Sequence, residues 1–82
     1  MSDTVKVDLH GLTEEDARIL LDRLLRTTPR DVKKLLVVHG YRGGTVLRDL
    51  VRFDYALHPR VKELRMTDNP GETEMVLTPA SL

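Results

Sequence analysis

The chain has 82 residues and sets 13 Lys and Arg against 13 Asp and Glu, a formal net charge of zero. That length suits one domain with a single modest core, and the charge balance supplies no global field to draw the chain onto a polyanion, so any such binding has to be local. The lack of cysteine excludes disulfides and thiolate metal sites, no stretch is long enough to cross a bilayer, and one Phe, two Tyr and no Trp provide poorly for base stacking on an aromatic platform.

Residues 1–4 lead almost directly into the first strand with no signal-peptide pattern, which sets the expectation of a soluble cytoplasmic protein. In Val5-Lys6-Val7-Asp8-Leu9-His10-Gly11, period two puts Val5, Val7 and Leu9 on one side of a strand and Lys6, Asp8 and His10 on the other. An acid thus lies beside an imidazole at a strand's end. Gly11 supplies a permissive turn. Thr13 then reads as an N-cap, with Glu14, Glu15 and Asp16 in the first helical turn and a hydrophobic staple from Leu12 to Ala17. Ala17, Leu20, Leu21, Leu24 and Leu25 repeat at helical spacing, opposite Glu14, Arg18, Asp22, Arg23 and Arg26. Thr27-Thr28-Pro29 stops that helix. Lys33 and Lys34 precede Leu35-Leu36-Val37-Val38, an apolar run of the kind found in parallel strands covered on both faces.

His39-Gly40-Tyr41-Arg42-Gly43-Gly44-Thr45 reads as a glycine-rich loop opening onto a second helix. Its apolar face is Val46, Leu47, Leu50, Val51, Phe53 and Leu57, and His58-Pro59 ends it. Val61, Leu64 and Met66 suggest a third strand with imperfect alternation at its start, Asp68-Asn69-Pro70-Gly71 is a turn, residues 73–78 make a fourth strand, and Ala80-Ser81-Leu82 form a frayed tail. The expectation is an α/β fold of βαβαββ order: one four-stranded mixed sheet with two helices, three strands parallel and the last joined by a hairpin. In such sheets ligands bind beyond the carboxyl ends of the parallel strands, where loops 8–11, 39–45 and 68–71 converge.

An imidazole titrates near neutrality, so His10 is a candidate proton carrier in phosphodiester cleavage. Asp8 is then its partner, fixing its tautomer, stabilising its charged form or helping to hold a divalent metal. The alternative is that both cap the turn through loop amides. His39 reads either as a second acid/base or phosphate ligand, or as a strand-terminal residue satisfied by backbone. Gly11 is a turn residue, and Gly40, Gly43 and Gly44 let the backbone approach an anion. Arg42 and Arg48 lie within reach of a phosphate at that rim, whereas Arg52, one turn further on, reads with Arg48 as solvated helix face. Tyr41 either stacks on a base or packs across the loop. Lys33 and Lys34 sit at the opposite end of the second strand and cannot join this patch.

Asp8-Leu9-His10-Gly11 ahead of an acid-capped helix, followed by His39-Gly40 with further glycines before Val46-Leu47-Arg48, resembles the small MutS-related (Smr) domain over nearly the whole chain. The family's loop usually reads His-Gly-x-Gly-x-Gly, and Tyr41-Arg42-Gly43-Gly44 departs from that spacing. Asp68-Asn69-Pro70-Gly71-Glu72 also makes the hairpin turn acidic, where the family often has glycines. The resemblance implies a single Smr-like domain over residues 1–82, with its core at about 4–79 and a fold similar to the C-terminal domain of translation initiation factor three. It implies nucleic acid as partner, RNA more than DNA, at ribosomes in some members, and an endonuclease with Asp8, His10 and His39 as catalytic residues. Gly11, Gly40, Tyr41, Arg42, Gly43, Gly44 and Arg48 would bind the phosphate, with Mg or Mn as the cofactors to test. Two other readings stand beside it: a non-catalytic module binding nucleic acid, ribosome or a phosphate ligand, and a self-associating interaction protein, monomer or small homo-oligomer, using the region of Phe53, Tyr55 and Leu57.

Overall fold

Alternation builds the sheet and amphipathic spacing builds the layer that covers it. In the computed structural model, which describes residues 3–40 and 45–78, the first strand β1 spans Thr4–Asp8 and helix α1 spans Glu14–Thr27. Thr13 caps α1, its hydroxyl accepting the Asp16 amide at 3.1 Å, and Leu12 packs against the core that contains Ala17. The helix ends at Thr27. There the Arg60 guanidinium donates to the carbonyls of Leu25 at 2.8 Å and Thr28 at 3.2 Å, satisfying groups a helix end leaves open.

Strand β2 (Lys34–Val38) follows, then a short helix α2 (Val46–Asp49), a π turn (Leu50–Asp54), a 3-10 turn (Tyr55–Leu57), and strands β3 (Val61–Met66) and β4 (Glu72–Leu77). The sheet order is β1-β2-β4-β3. β1 pairs parallel with β2, and β4 runs antiparallel to both β2 and β3, so β1, β2 and β3 share one direction, as expected. Val7, Leu35, Val37, Met75 and Leu77 face the helices and join Leu21, Leu25, Leu50 and Val51 in one core. No membrane-length apolar helix occurs among the described residues. Residues 80–82, expected as a frayed tail, lie outside them.

Three local readings change. The run from Leu35 to Val38 is not covered on both faces: Leu35 and Val37 are buried, whereas Leu36 and Val38 are half-buried on the face opposite the helices. In β3 the register moves between Val61/Leu77 and Glu63/Val76, a bulge that leaves Lys62 as an extra residue. This returns Leu64 to the side of Val61 and explains the broken alternation, while Met66 remains exposed. Finally, the second helix does not keep a period of 3.6. The Tyr55 amide donates to the Leu50 carbonyl, five residues back, so Leu50, Val51 and Tyr55 are buried while Phe53 is 67% and Leu57 88% exposed. Tyr55 therefore leaves the self-association face proposed for it. Its hydroxyl donates to the Asp22 carboxylate at 2.6 Å, and burial, then that bond, pushes the phenol's pKa upward. Arg18 pairs with the neighbouring Asp54 and, at 3.2 Å, with Glu14.

The π turn has a measurable consequence. Urea unfolding is expected to show Tyr55→Phe losing about 1–3 kcal/mol, the cost of a buried hydroxyl's bond to a carboxylate, with Phe53→Ser staying within about 0.5 kcal/mol. A regular helix through residue 57 requires the larger loss at Phe53.

Candidate functional site

Parallel pairing of Asp8 with Val38 brings the ends of β1 and β2 level. One residue further, the Leu9 amide donates to the Val38 carbonyl at 2.7 Å, and buried Leu9 anchors the turn. The turn closes through the Leu12 amide to the Leu9 carbonyl at 3.0 Å, with Gly11 at φ 85°, a conformation glycine adopts without steric cost. Asp8 and His10 are both exposed. An oxygen of Asp8 accepts the His10 amide at 2.9 Å, so the carboxylate does cap the turn. Its other oxygen and the His10 ring have no hydrogen-bond partner among the described residues.

The second loop is held by the third. The amides of His39 and Gly40 both donate to the Gly71 carbonyl, at 2.8 and 3.0 Å. Gly71 is fixed in turn by its amide's bond to the Asn69 side chain at 2.8 Å, and the Asn69 amide by the Thr67 hydroxyl at 3.1 Å. Gly40 has φ 77°, and a Cβ there would lie 3.4 Å from Cδ2 of His10. The loops after β1, β2 and β3 therefore meet at one rim, with the His10 ring against the Gly40 backbone.

His39 is 5% exposed and both ring nitrogens are engaged. Nδ1 lies 2.9 Å from the Gly40 carbonyl, which can only accept, so Nδ1 carries the proton. Nε2 then accepts from the Thr73 hydroxyl at 2.9 Å, and the Thr73 oxygen accepts the Arg52 Nε hydrogen at 3.0 Å. Burial lowers the His39 pKa, and the charges of Arg52 and Arg48 act the same way against the Gly40 bond, so the neutral ring is favoured. This is the geometry of a strand-terminal residue satisfied by its neighbours. Arg52 belongs to this chain of bonds and is not the solvated side chain its spacing suggested, because the π turn rotates it toward β4. Thr73 and Arg52 were not foreseen as partners. The signal for Thr73 was a hydroxyl on the inward side of the Thr73-Met75-Leu77 alternation, since a buried polar group needs a partner.

Arg48 is half-buried, its guanidinium 3.4 Å from the Asp49 carboxylate. Tyr41, Arg42, Gly43 and Gly44 lie outside the described residues. Lys33 and Lys34 stand at the far end of β2, as expected. Among the described residues no group of three His, Asp or Glu side chains is placed to hold a metal ion.

A two-layer α/β domain whose polar loops gather at the carboxyl ends of its parallel strands is a ligand-binding architecture. The family model described as "Smr domain" matches residues 7–73, and the chain belongs to the Smr domain family, which is associated with nucleases and nucleic-acid binding. Among solved structures the chain is similar to the Smr domain of Thermus thermophilus MutS2, with 29% sequence identity, a TM-score of 0.79, and coverage of 92% of this chain and 99% of that one. Among curated proteins, no match is found.

The His39 network makes a pH prediction. Unfolded, His39 takes up a proton around its ordinary value of 6.5, while the buried ring holds out to lower pH. The unfolded chain then binds more protons in the window below 6.5, so this contribution to stability is full above 6.5 and is lost as pH falls. His39→Gln is expected to be destabilised by about 1–3 kcal/mol near neutrality, with the gap to wild type narrowing on acidification in urea unfolding. A gap that is constant with pH would contradict a neutral His39.

Proposed function

We propose that this Smr domain binds nucleic acid at the rim and cleaves phosphodiester bonds there endonucleolytically, acting on RNA in preference to DNA, whether free or in the ribosome. The observation that carries this reading is the exposed His10 ring, free of hydrogen bonds to the described residues, standing against the Gly40 backbone where three loops converge. His10 exchanges the proton. Asp8, already tied to the His10 amide, fixes where the ring stands and offers its second oxygen to the charged imidazolium or to a divalent ion. RNA is favoured because its 2′-hydroxyl supplies an internal nucleophile: as the His10 imidazole takes its proton, the 2′-oxygen bonds to phosphorus, the bond from phosphorus to the 5′-oxygen breaks, and the leaving 5′-oxygen takes a proton from the imidazolium or water. In this reading Gly11, Gly40, Arg48 and, from the segment outside the described residues, Tyr41, Arg42, Gly43 and Gly44 are the phosphate-binding residues. His39 is a positioning residue, acting through the Gly40 carbonyl and not on the substrate itself.

One observation favours a second reading, a module that binds without turnover: Asp8, Asp68 and Glu72 bring acids to the same rim, against a phosphate's charge. Cleavage of labelled RNA and DNA, each with and without Mg²⁺ or Mn²⁺, separates the two. In the enzyme reading His10→Ala is expected to slow RNA cleavage by about a hundredfold or more while leaving the fold and the binding intact. Unchanged cleavage by His10→Ala removes the mechanism, and binding by the wild type without cleavage in any arm selects the binding module.

A further inference from the structure

The face of the sheet opposite the helices carries a second feature, at the end away from the rim. An open groove of about 570 Å³ runs between the start of β2 and the start of β3, lined by Arg30, Lys33, Lys34, Lys62 and Arg65 over a floor that includes Val76. Among the described residues, no acidic side chain lines it. In a chain of zero net charge, that gathers five cations in one depression.

The backbone holds these side chains in place. The Lys33 amide donates to the Asp3 carbonyl at 2.7 Å, and its carbonyl accepts the Leu77 amide at 2.8 Å, which ties the segment before β2 to both neighbouring strands. The Val32 amide donates to the Pro29 carbonyl at 3.1 Å, closing the turn that carries Arg30. Across the sheet, the β3 bulge falls at Lys62, and a bulge re-aims the side chain it displaces. Two of the five cations have carboxylate partners: Lys34 with Glu74 at 3.5 Å and Arg65 with Glu63 at 2.6 Å. Arg30, Lys33 and Lys62 have none among the described residues.

We infer that this groove binds the phosphate backbone of a nucleic-acid strand, as a second contact surface remote from the rim. The inference rests on the nucleic-acid reading of the rim. A small anion needs one or two cations, whereas cations delivered from two separate segments, residues 30–34 and 62–65, along an open channel match a linear polyanion. The groove also lies on the same face as Asp8, since Asp8 and Lys6 alternate outward from the helices on β1. The five residues of β2 span the distance between groove and rim, about 17 Å at roughly 3.3 Å per residue. Lys6, exposed and paired with Leu36 midway along β2, stands on the path between them.

The test is fluorescence-anisotropy binding of labelled oligouridylate, titrated between about 50 and 200 mM KCl, on the wild type and on Arg30→Gln/Lys33→Gln/Lys62→Gln. All three groove positions are exposed, and circular dichroism verifies the fold. Loss of three phosphate contacts is expected to weaken binding by about tenfold at the lowest salt and to reduce the slope of log affinity against log salt by about 2, at ~0.7 per contact on a single strand. If the wild type binds and the triple variant matches it in affinity and slope, the groove inference falls while the rim reading stands. If the wild type binds no oligonucleotide even at the lowest salt, the rim reading falls and takes the groove with it. Polyglutamate displacing the RNA as effectively as unlabelled oligouridylate would overturn the assignment in favour of an acidic protein partner.

Discussion

The Gly71 carbonyl oxygen accepts two amides from consecutive residues of another loop, and the rim depends on that pair of bonds. Two successive N–H groups reach one acceptor only where the chain leaves the extended conformation of a strand at the residue that links them, here His39, and Gly40 at φ 77° then turns the chain away from β2. The hairpin that supplies Gly71 is itself pinned by Thr67 and Asn69 side chains, so the acceptor is held by bonds that do not involve β2's exit. His39 adds a clamp on the same residue, its Nδ1 hydrogen holding the Gly40 carbonyl while the Thr73 hydroxyl, itself held by Arg52, donates to its other nitrogen. The position of Gly40 against the His10 ring is thereby set by β4 and the second helical segment, neither of which carries His10. Exposed chemistry on this rim rests on buried hydrogen bonds beneath it.

Much of this was legible in the sequence, and the parts that were not share a cause. β1, its turn and α1 arise from period two, one glycine and a Thr cap, all local signals whose geometry no distant partner changes. The hairpin was equally local. The second helix and the start of β3 misled because each contains one residue beyond the ideal period: a π turn at residues 50–54 and a bulge at Lys62. A fixed period cannot register an inserted residue, so Phe53 was placed inside and Tyr55 outside when packing does the reverse. The burial of Leu36 and Val38 was overestimated for another reason: an apolar run does not reveal whether a second layer exists to cover it. For the rim, the approach of residues 8–11 to residues 39–40 followed from strand order, but the network around His39 did not, because Thr73 and, behind it, Arg52 come from elements 34 and 13 residues away in the chain.

Zero net charge says nothing about how charge is distributed, and the open face of this sheet is polar along its strands. At the carboxyl ends of β1 and β2 stand Asp8 and Glu72. At the amino end of β2 stand Lys33 and Lys34, joined by Arg30 from the preceding turn and Lys62 from β3, with Arg65 further along, level with Leu36. An acid-bearing rim attracts a phosphate poorly by itself, so a cleavage site there works better if its affinity is supplied elsewhere on the same polymer. Binding energy from a part of the substrate remote from the reacting bond can hold that bond against a site that would not retain it alone. The alternation that sends Val5, Val7 and Leu9 into the core sends Lys6, Asp8 and His10 onto the open face, so the core's own pattern lines up the rim and the groove. On a sheet this small, covering both faces with helices would enlarge the core and remove that track. The uncovered side of β2, where Leu36 and Val38 remain half-buried, is what leaves room for a strand to lie across it.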